Sequence, residues 1–198
     1  SQIVSLPLIL KIQQELPAVT LRLMEGFSGS IRDWLQDGRL DFGVTYLHAH
    51  EDAGTVDSRY RDALCLAGAP ALIGERAGPV QPGDLAQLPL ALPAPDQLIR
   101  RIVDEAAARS GAVLKPCIEL NSFIVIRDIV LSGIACAVMP VSAVAGDADT
   151  GRLRLLAFRP ALHRTLAIRL SPRGPAGYAQ KAVLKLLREV MKQLIRRG

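Results

Sequence analysis

Aromatic residues make up only 4% of this 198-residue chain. Its core must therefore be built from Leu, Ile, Val and Ala, and it lacks the aromatic–basic interleaving used by single-strand nucleic-acid binders. Cysteine is also scarce. Cys65, Cys117 and Cys136 are odd in number and far apart, which gives neither a disulfide framework nor zinc-finger spacing. All three stand in apolar company and read as buried, reduced thiols of a cytoplasmic protein. No apolar run reaches the ~18 residues of a membrane span, so no membrane partner is expected. The chain also has no G-x-S-x-G elbow, P-loop, H-E-x-x-H or G-x-G-x-x-G. Gly26-Phe27-Ser28-Gly29 comes nearest to an elbow and lacks the last glycine. Nothing positive points to an enzyme or to a cofactor.

What is present is an ordinary globular balance, 49% hydrophobic and 22% charged, which argues against wholesale disorder. The net charge of +5 is spread along the chain. Its densest run, Lys181 to Arg197, falls at spacings that put most of the cations on the wet face of a helix. His48 and His50, with Glu51 and Asp52 beside them, bring only two strong ligands where a structural metal site needs four. They read as polar loop, and no metal is expected. His163 stands alone in a basic turn and reads as surface. Trp34 shares a helix face with Ile31 and Leu35, which suits core or interface packing better than stacking on a substrate.

Periodicity divides the chain into alternating elements. Ile3, Leu6, Leu8, Ile9, Ile12 and Leu16 recur at helical spacing until Pro17 stops them. Val19 to Glu25 alternates as a strand does, Ser28 or Ser30 can cap a helix from Ile31 to Gln36, and Leu40 to Leu47 reads as a buried strand of the parallel type. His48 to Arg61 reads as loop, Ala63 to Ile73 as strand, and Leu88 to Leu92 as a further strand. A helix from Leu98 to Ser110 follows, then a strand from Lys115 to Leu120 and a helix from Phe123 to Leu131. A short strand ends at Pro140. The small-residue stretch after Ser142 reads as loop, Arg152 to Phe158 and Leu166 to Leu170 as strands, and Ala176 to Arg197 as a long amphipathic helix. The α/β pattern occurs twice, parting near residue 70 with a return near residue 160. That order predicts two lobes joined by two crossing segments, with a cleft between them where open α/β sheets bind ligands.

Four phrases then stand in register. Leu6-Pro7-Leu8-Ile9 is followed by Glu15-Leu16-Pro17-Ala18-Val19-Thr20-Leu21. Glu25-Gly26 precedes Ser28 and then Leu35, Gly38, Arg39, Leu40 and Asp41. Leu85-Ala86 leads to Leu88-Pro89-Leu90. Glu119 and Ser122 are followed by Ile129 to Ala135 and Met139-Pro140. Together they resemble the effector-binding domain of bacterial LysR-type transcriptional regulators over nearly the whole chain. Two departures stand out: Ala135 replaces a family glycine, and Glu75-Arg76-Ala77-Gly78 replaces a common His-Pro-Leu phrase. The family's leading strand is also absent, so the chain reads as cut from something longer, with its N-terminal winged helix-turn-helix missing.

The resemblance implies an α/β fold of two Rossmann-like lobes, periplasmic-binding-protein-like (type II). Lobe I would be residues 1–70 plus 159–198, and lobe II residues 71–158. It further implies a small, anionic or polar effector in the cleft and no cofactor. Its partner is a second copy, through the first helix and lobe II, in a dimer that becomes a tetramer at full length. DNA would be contacted only through the missing domain. A solute-binding protein of a transporter shares the fold and is the alternative.

Helix starts suit an anion, because their free N–H groups and positive dipole end face it. Ser28-Gly29 and Asn121-Ser122-Phe123 are the two candidate starts, and plain helix caps remain the competing reading for both serines. Ser1 falls at or just past the turn where the family's first ligand-contacting hydroxyl lies. Tyr46, at a strand end, is either a hydroxyl donor or a packing residue. Gln97 is the polar candidate within Pro95 to Leu98. Arg100 could reach an anion, with a solvent-facing helix position as the stronger reading.

Overall fold

The computed structural model describes residues 2–26, 28–47, 55–174 and 177–196. The chain divides into two compact units, residues 1–61 with 165–197, and residues 62–164.

The first unit opens on α1 (Gln2–Glu15) and ends on α7 (Tyr178–Arg196). Val183, Leu184, Leu186, Leu187, Val190 and Met191 return at three- and four-residue spacing along α7. They bury one stripe against Leu8 and Ile12 of α1, with Tyr60 and Ile168 completing the cluster. Lys11 donates to Glu189 at 3.0 Å across the two helices. The lysines of α7, Lys181, Lys185 and Lys192, stay exposed, as a solvated face should. Helix α2 (Ser28–Gln36) leads to β1 (Phe42–Tyr46), which pairs antiparallel with β7 (His163–Leu170).

In this unit, and at the start of its strand β7, the structure corrects four expectations. Val19 to Glu25 alternates correctly but has no ladder partner among the described residues, and it is not a strand. The apolar run around Val44 belongs to an antiparallel pair, because a run of buried residues does not encode the direction of its neighbour. Residues 56–61 are not loop. They begin β2 (Val56–Gly68), where charged residues alternate with Tyr60 on a half-exposed ladder. His163 opens β7 rather than sitting in a surface turn.

The second unit is built on the far half of β2, which ends at Gly68. The strand expected to run on to Ile73 gives way to a short helix, α3 (Pro70–Ile73), because Pro70 cannot donate to a ladder. Cys65, Leu66 and Ala67 pair antiparallel with β5 (Ala137–Pro140) on one side and β6 (Arg154–Ala157) on the other. This sheet is covered on both faces, which is why its strands read as continuous apolar runs. Leu64, Leu66, Cys136, Val138 and Leu156 join the core on one face with Val103 and Ala107 of α4 (Leu98–Ala108). Cys65, Ala67, Ala137 and Met139 join that on the other with Ile126 and Val130 of α5 (Phe123–Leu131) and Val144 of α6 (Val141–Asp149). Helix α6 was expected as loop. Its alanines favour a helix, and Pro140 ahead of it sits where a missing N–H costs nothing. The cysteine reading needs one correction: Cys65 and Cys136 are buried, but Cys117 is exposed just before the short strand β4 (Ile118–Glu119).

The parallel pairing in this unit lies where β3 (Ala91–Leu92) joins β4 in register Ala91–Ile118 and Leu92–Glu119. Cys136 bridges in parallel to Leu90 on the other side of β3. Three chain segments therefore point the same way, and the turns that leave them emerge at one end.

Candidate functional site

Parallel pairing of β3 and β4 places two strand-to-helix turns side by side at their carboxyl ends, the position where open α/β sheets take ligands. The first turn runs from Pro93 to Gln97 into α4, and the second from Leu120 to Ser122 into α5. Asn121 accepts a hydrogen bond from the Ala94 backbone N–H at 2.9 Å, which ties the turns together. Ser122 is the N-cap of α5 and its Oγ accepts from the Val125 N–H at 3.4 Å, a long and therefore weak cap. Its hydroxyl proton is left to point elsewhere. Phe123, Ile124 and Val125 are all exposed in the first turn of α5. Gln97 is the residue before α4; its side-chain amide donates to Asp96 at 3.1 Å and does not cap the helix.

Arg100 is not solvent-facing. Its residue is 7% exposed, and its guanidinium is occupied by Asp104 (Nε, 2.8 Å), Glu119 (Nη1, 3.1 Å) and the Pro93 carbonyl (Nη1, 3.0 Å). It fastens α4 to the ends of both parallel strands. The sequence carried one sign of this, the Arg100–Asp104 spacing of four residues, which puts opposite charges on one helix face. Glu119 was not singled out, because its meeting with Arg100 depends on the strand pairing.

The first unit gathers its own group. Ser28 is the first residue of α2, and its Oγ accepts from the Tyr46 backbone N–H at 3.2 Å, so the helix start sits at the carboxyl end of β1. The sequence permits this approach through Gly43. A Cβ there would lie 2.6 Å from the Cγ2 of Ile31, so only glycine lets α2 lie this close to the strand. A Cβ on Gly29 would meet nothing nearer than the tip of Arg32 at 3.9 Å, so Gly29 is not sterically required. Thus Ser28, Gly29 and Tyr46 come together in one unit, and Gln97, Asn121, Ser122 and Phe123 in the other. Ser1, His48 and His50 lie outside the described residues. Among the described residues, no group of three or more His, Cys, Asp or Glu could hold a metal, and no helix is long and apolar enough to cross a membrane.

Each of the two α/β units presents a hydroxyl-bearing helix start at a strand's carboxyl end, the place where α/β domains of the small-molecule-binding class take their ligands. The family model for the LysR substrate binding domain matches residues 2–192, and the chain belongs to that family. It is 28% identical over 142 residues to the HTH-type transcriptional regulator BbuR of Bordetella bronchiseptica, covering 72% of this chain and 44% of that protein. Full-length OxyR from Pseudomonas aeruginosa superposes with a TM-score of 0.74 at 22% identity, over 96% of this chain and 64% of that one. The effector-binding domain of QuiR in complex with shikimate gives 0.71 at 13% identity, over 96% and 90%. The fold is thus the type II periplasmic-binding-protein-like fold of LysR regulatory domains, and the relatives are regulators rather than transport proteins. The chain spans less than two thirds of the length of the curated relatives it matches.

Proposed function

We propose that this chain senses a small anionic metabolite for a cytoplasmic, full-length LysR-type regulator whose DNA-binding head lies outside these residues, and that it performs no catalysis. The candidate effector contacts are Ser28-Gly29 and Tyr46 in one unit, and Gln97 and Asn121-Ser122-Phe123 in the other. Ser1 is a further candidate contact by resemblance to the family alone. The observation that carries this reading is the pairing of β3 with β4, which brings the starts of two helices to one strand end with Ser122 beside an exposed Phe123. Free N–H groups and the dipole end there favour a carboxylate or phosphate, and Phe123 offers an apolar wall to the rest of the ligand. The ligand acts by binding one arrangement of the protein better than another.

A second copy of the chain is the other partner. Leu6 and Leu10 stand 61% and 54% exposed on α1, an apolar stripe that suits a dimer made through α1 and the second unit of the other copy. Two such dimers make the tetramer of the full-length protein. The test is calorimetry across a metabolite panel with wild type, Ser28→Ala and Ser122→Ala. Each change is expected to weaken the ligand by about 1 kcal/mol, the worth of one hydrogen bond. A ligand that binds tightly and ignores both changes would overturn the site.

A further inference from the structure

Helix α7 holds almost the whole net charge of the chain. It carries five cations, Lys181, Lys185, Arg188, Lys192 and Arg196, and one anion, Glu189, so it accounts for +4 of the net +5. Two of these six are neutralised within the first unit. Arg188 grips Asp57 through Nε at 2.9 Å, and Glu189 accepts from Lys11 at 3.0 Å. The other four cations are exposed, and none of them forms an ion pair or a side-chain hydrogen bond among the described residues. At 3.6 residues per turn, positions 181, 185, 192 and 196 fall within about 60° of one another around the helix, and at 1.5 Å per residue they extend over about 22 Å. Tyr178, 86% exposed, stands on the same stripe one turn ahead of Lys181.

A helix face that is merely solvated mixes charges of both signs at three- and four-residue spacing. This stripe does not. The opposite face of α7 is packed against Leu8 and Ile12 of α1, so no apolar side is left to enter a lipid surface. Among the described residues no large aliphatic side chain is exposed on α7, which removes the apolar anchor that a protein interface needs. A straight row of unpaired cations with a phenol at its head suits a regular line of phosphates. We propose that this stripe lies along the phosphate backbone of duplex DNA, adding a sequence-independent contact to the one made by the DNA-binding head. This rests on the reading of the chain as part of a DNA-binding regulator. Phosphates follow one another every ~3.4 Å of axis on each strand, so about 22 Å of helix spans about six, and each of the four long side chains can reach one. Lysine meets a phosphate as a point charge with no fixed approach, and the Tyr178 hydroxyl can donate to a further phosphate.

The experiment titrates the chain into a fluorescently labelled duplex of arbitrary sequence and follows anisotropy at several NaCl concentrations. Release of counterions from four phosphates gives log K against log [salt] a slope of about −3.6, a fall of about 150-fold between about 50 and 200 mM. Two variants each remove four positive charges. Lys181→Gln/Lys185→Gln/Lys192→Gln/Arg196→Gln should lose at least about tenfold in affinity at the lowest salt, and most of the slope. Arg101→Gln/Arg109→Gln/Lys115→Gln/Arg159→Gln, all exposed cations of the second unit, should keep both. Both variants should melt with wild type, since these side chains are exposed. The single changes Lys185→Gln and Lys192→Gln should each lower the slope by about 0.9. A wild-type slope near zero, an equal loss in the two fourfold variants, or displacement of the duplex by polyglutamate as readily as by unlabelled DNA would overturn the proposal. None of the four stripe residues is a candidate effector contact, so a metabolite panel that finds no ligand would strike the effector reading and leave the stripe standing.

Discussion

Asp62 and Arg164 are the first and last residues of the second unit, and they meet as a buried ion pair. Their side chains are 1% and 6% exposed. One oxygen, Oδ2 of Asp62, receives Nε of Arg164 at 2.9 Å, Nη2 at 2.8 Å and the Ser142 hydroxyl at 2.8 Å. The other, Oδ1, has no hydrogen-bond partner among the described residues. Replacing Asp62 with Asn keeps the shape and an acceptor for Ser142 but removes the negative charge that faces the buried guanidinium. Removing one member of such a pair costs about 3–5 kcal/mol. The bare Oδ1 already weakens the wild-type arrangement, so the lower end, ~3 kcal/mol, is expected.

The assay can assign the loss to one unit. Trp34 is the chain's one tryptophan and belongs to the first unit, so its fluorescence reports that unit, while circular dichroism reports both. Urea denaturation of Asp62→Asn should show a large early loss of ellipticity that precedes the Trp34 transition. At roughly 4–8 °C per kcal/mol for a unit of about 100 residues, the first thermal transition should fall by roughly 12–24 °C. The double variant Asp62→Leu/Arg164→Met, which removes both charges, should recover to within about 1 kcal/mol of wild type. A single variant within ~1 kcal/mol of wild type would refute the reasoning, because it would mean that the pair is already solvated.

Two further outcomes follow from the ionisable groups. Burial pushes the Cys65 thiol up to about 12 and raises Cys136 as well, with Arg76 only partly opposing, whereas Cys117 is exposed. A thiol reagent at pH 7–8 should therefore modify Cys117 alone in the native protein and all three cysteines in denaturant, counted by mass; rapid native labelling of Cys65 would contradict its burial. The Asp57 carboxyl is held below the ordinary carboxylate range chiefly by the hydrogen bond from Arg188, whose Nε lies 2.9 Å from Oδ2. A carboxyl lowered on folding stabilises the protein above its unfolded pKa of about 3.9, and that contribution is lost as pH falls through the lower folded value. The stability gap between wild type and Asp57→Asn should accordingly hold steady from pH 7 to about pH 5 and close below pH 4. A gap that persists unchanged into strong acid would show that Asp57 acts through shape rather than charge.

How far the sequence could be read depended on whether each feature is local. Helices α1, α2, α4, α5 and α7 were legible because their apolar residues recur at helical spacing on their own segments. Strand β2 was half-legible. Its far half is continuously apolar, but its near half reads Val-Asp-Ser-Arg-Tyr-Arg, and only the partner strand beside it makes that a ladder. Helix α6 was missed because Ala, Gly, Ser and Asp carry little periodic signal, and its core contact rests mainly on Val144.

The same rule governs the candidate site. Ser28 and Ser122 could be picked out as helix starts, since capping residues announce themselves within a few positions. Their roles could not be ranked from the sequence, and the structure treats them differently. Ser28 spends its oxygen on the Tyr46 N–H of another element, while Ser122 keeps a weak local cap. A hydroxyl already committed as an acceptor can still donate, so both remain able to give a hydrogen bond to an anion. Ser28, however, is fixed in place by β1, and Ser122 has only its own helix to hold it. The second unit instead gets its rigidity from Arg100 and Asn121, which bind the two turns to the strand ends through contacts between elements far apart in sequence. The candidate ligand residues could therefore be picked out from neighbours along the chain. Those that hold them still could not, because their partners come from other elements.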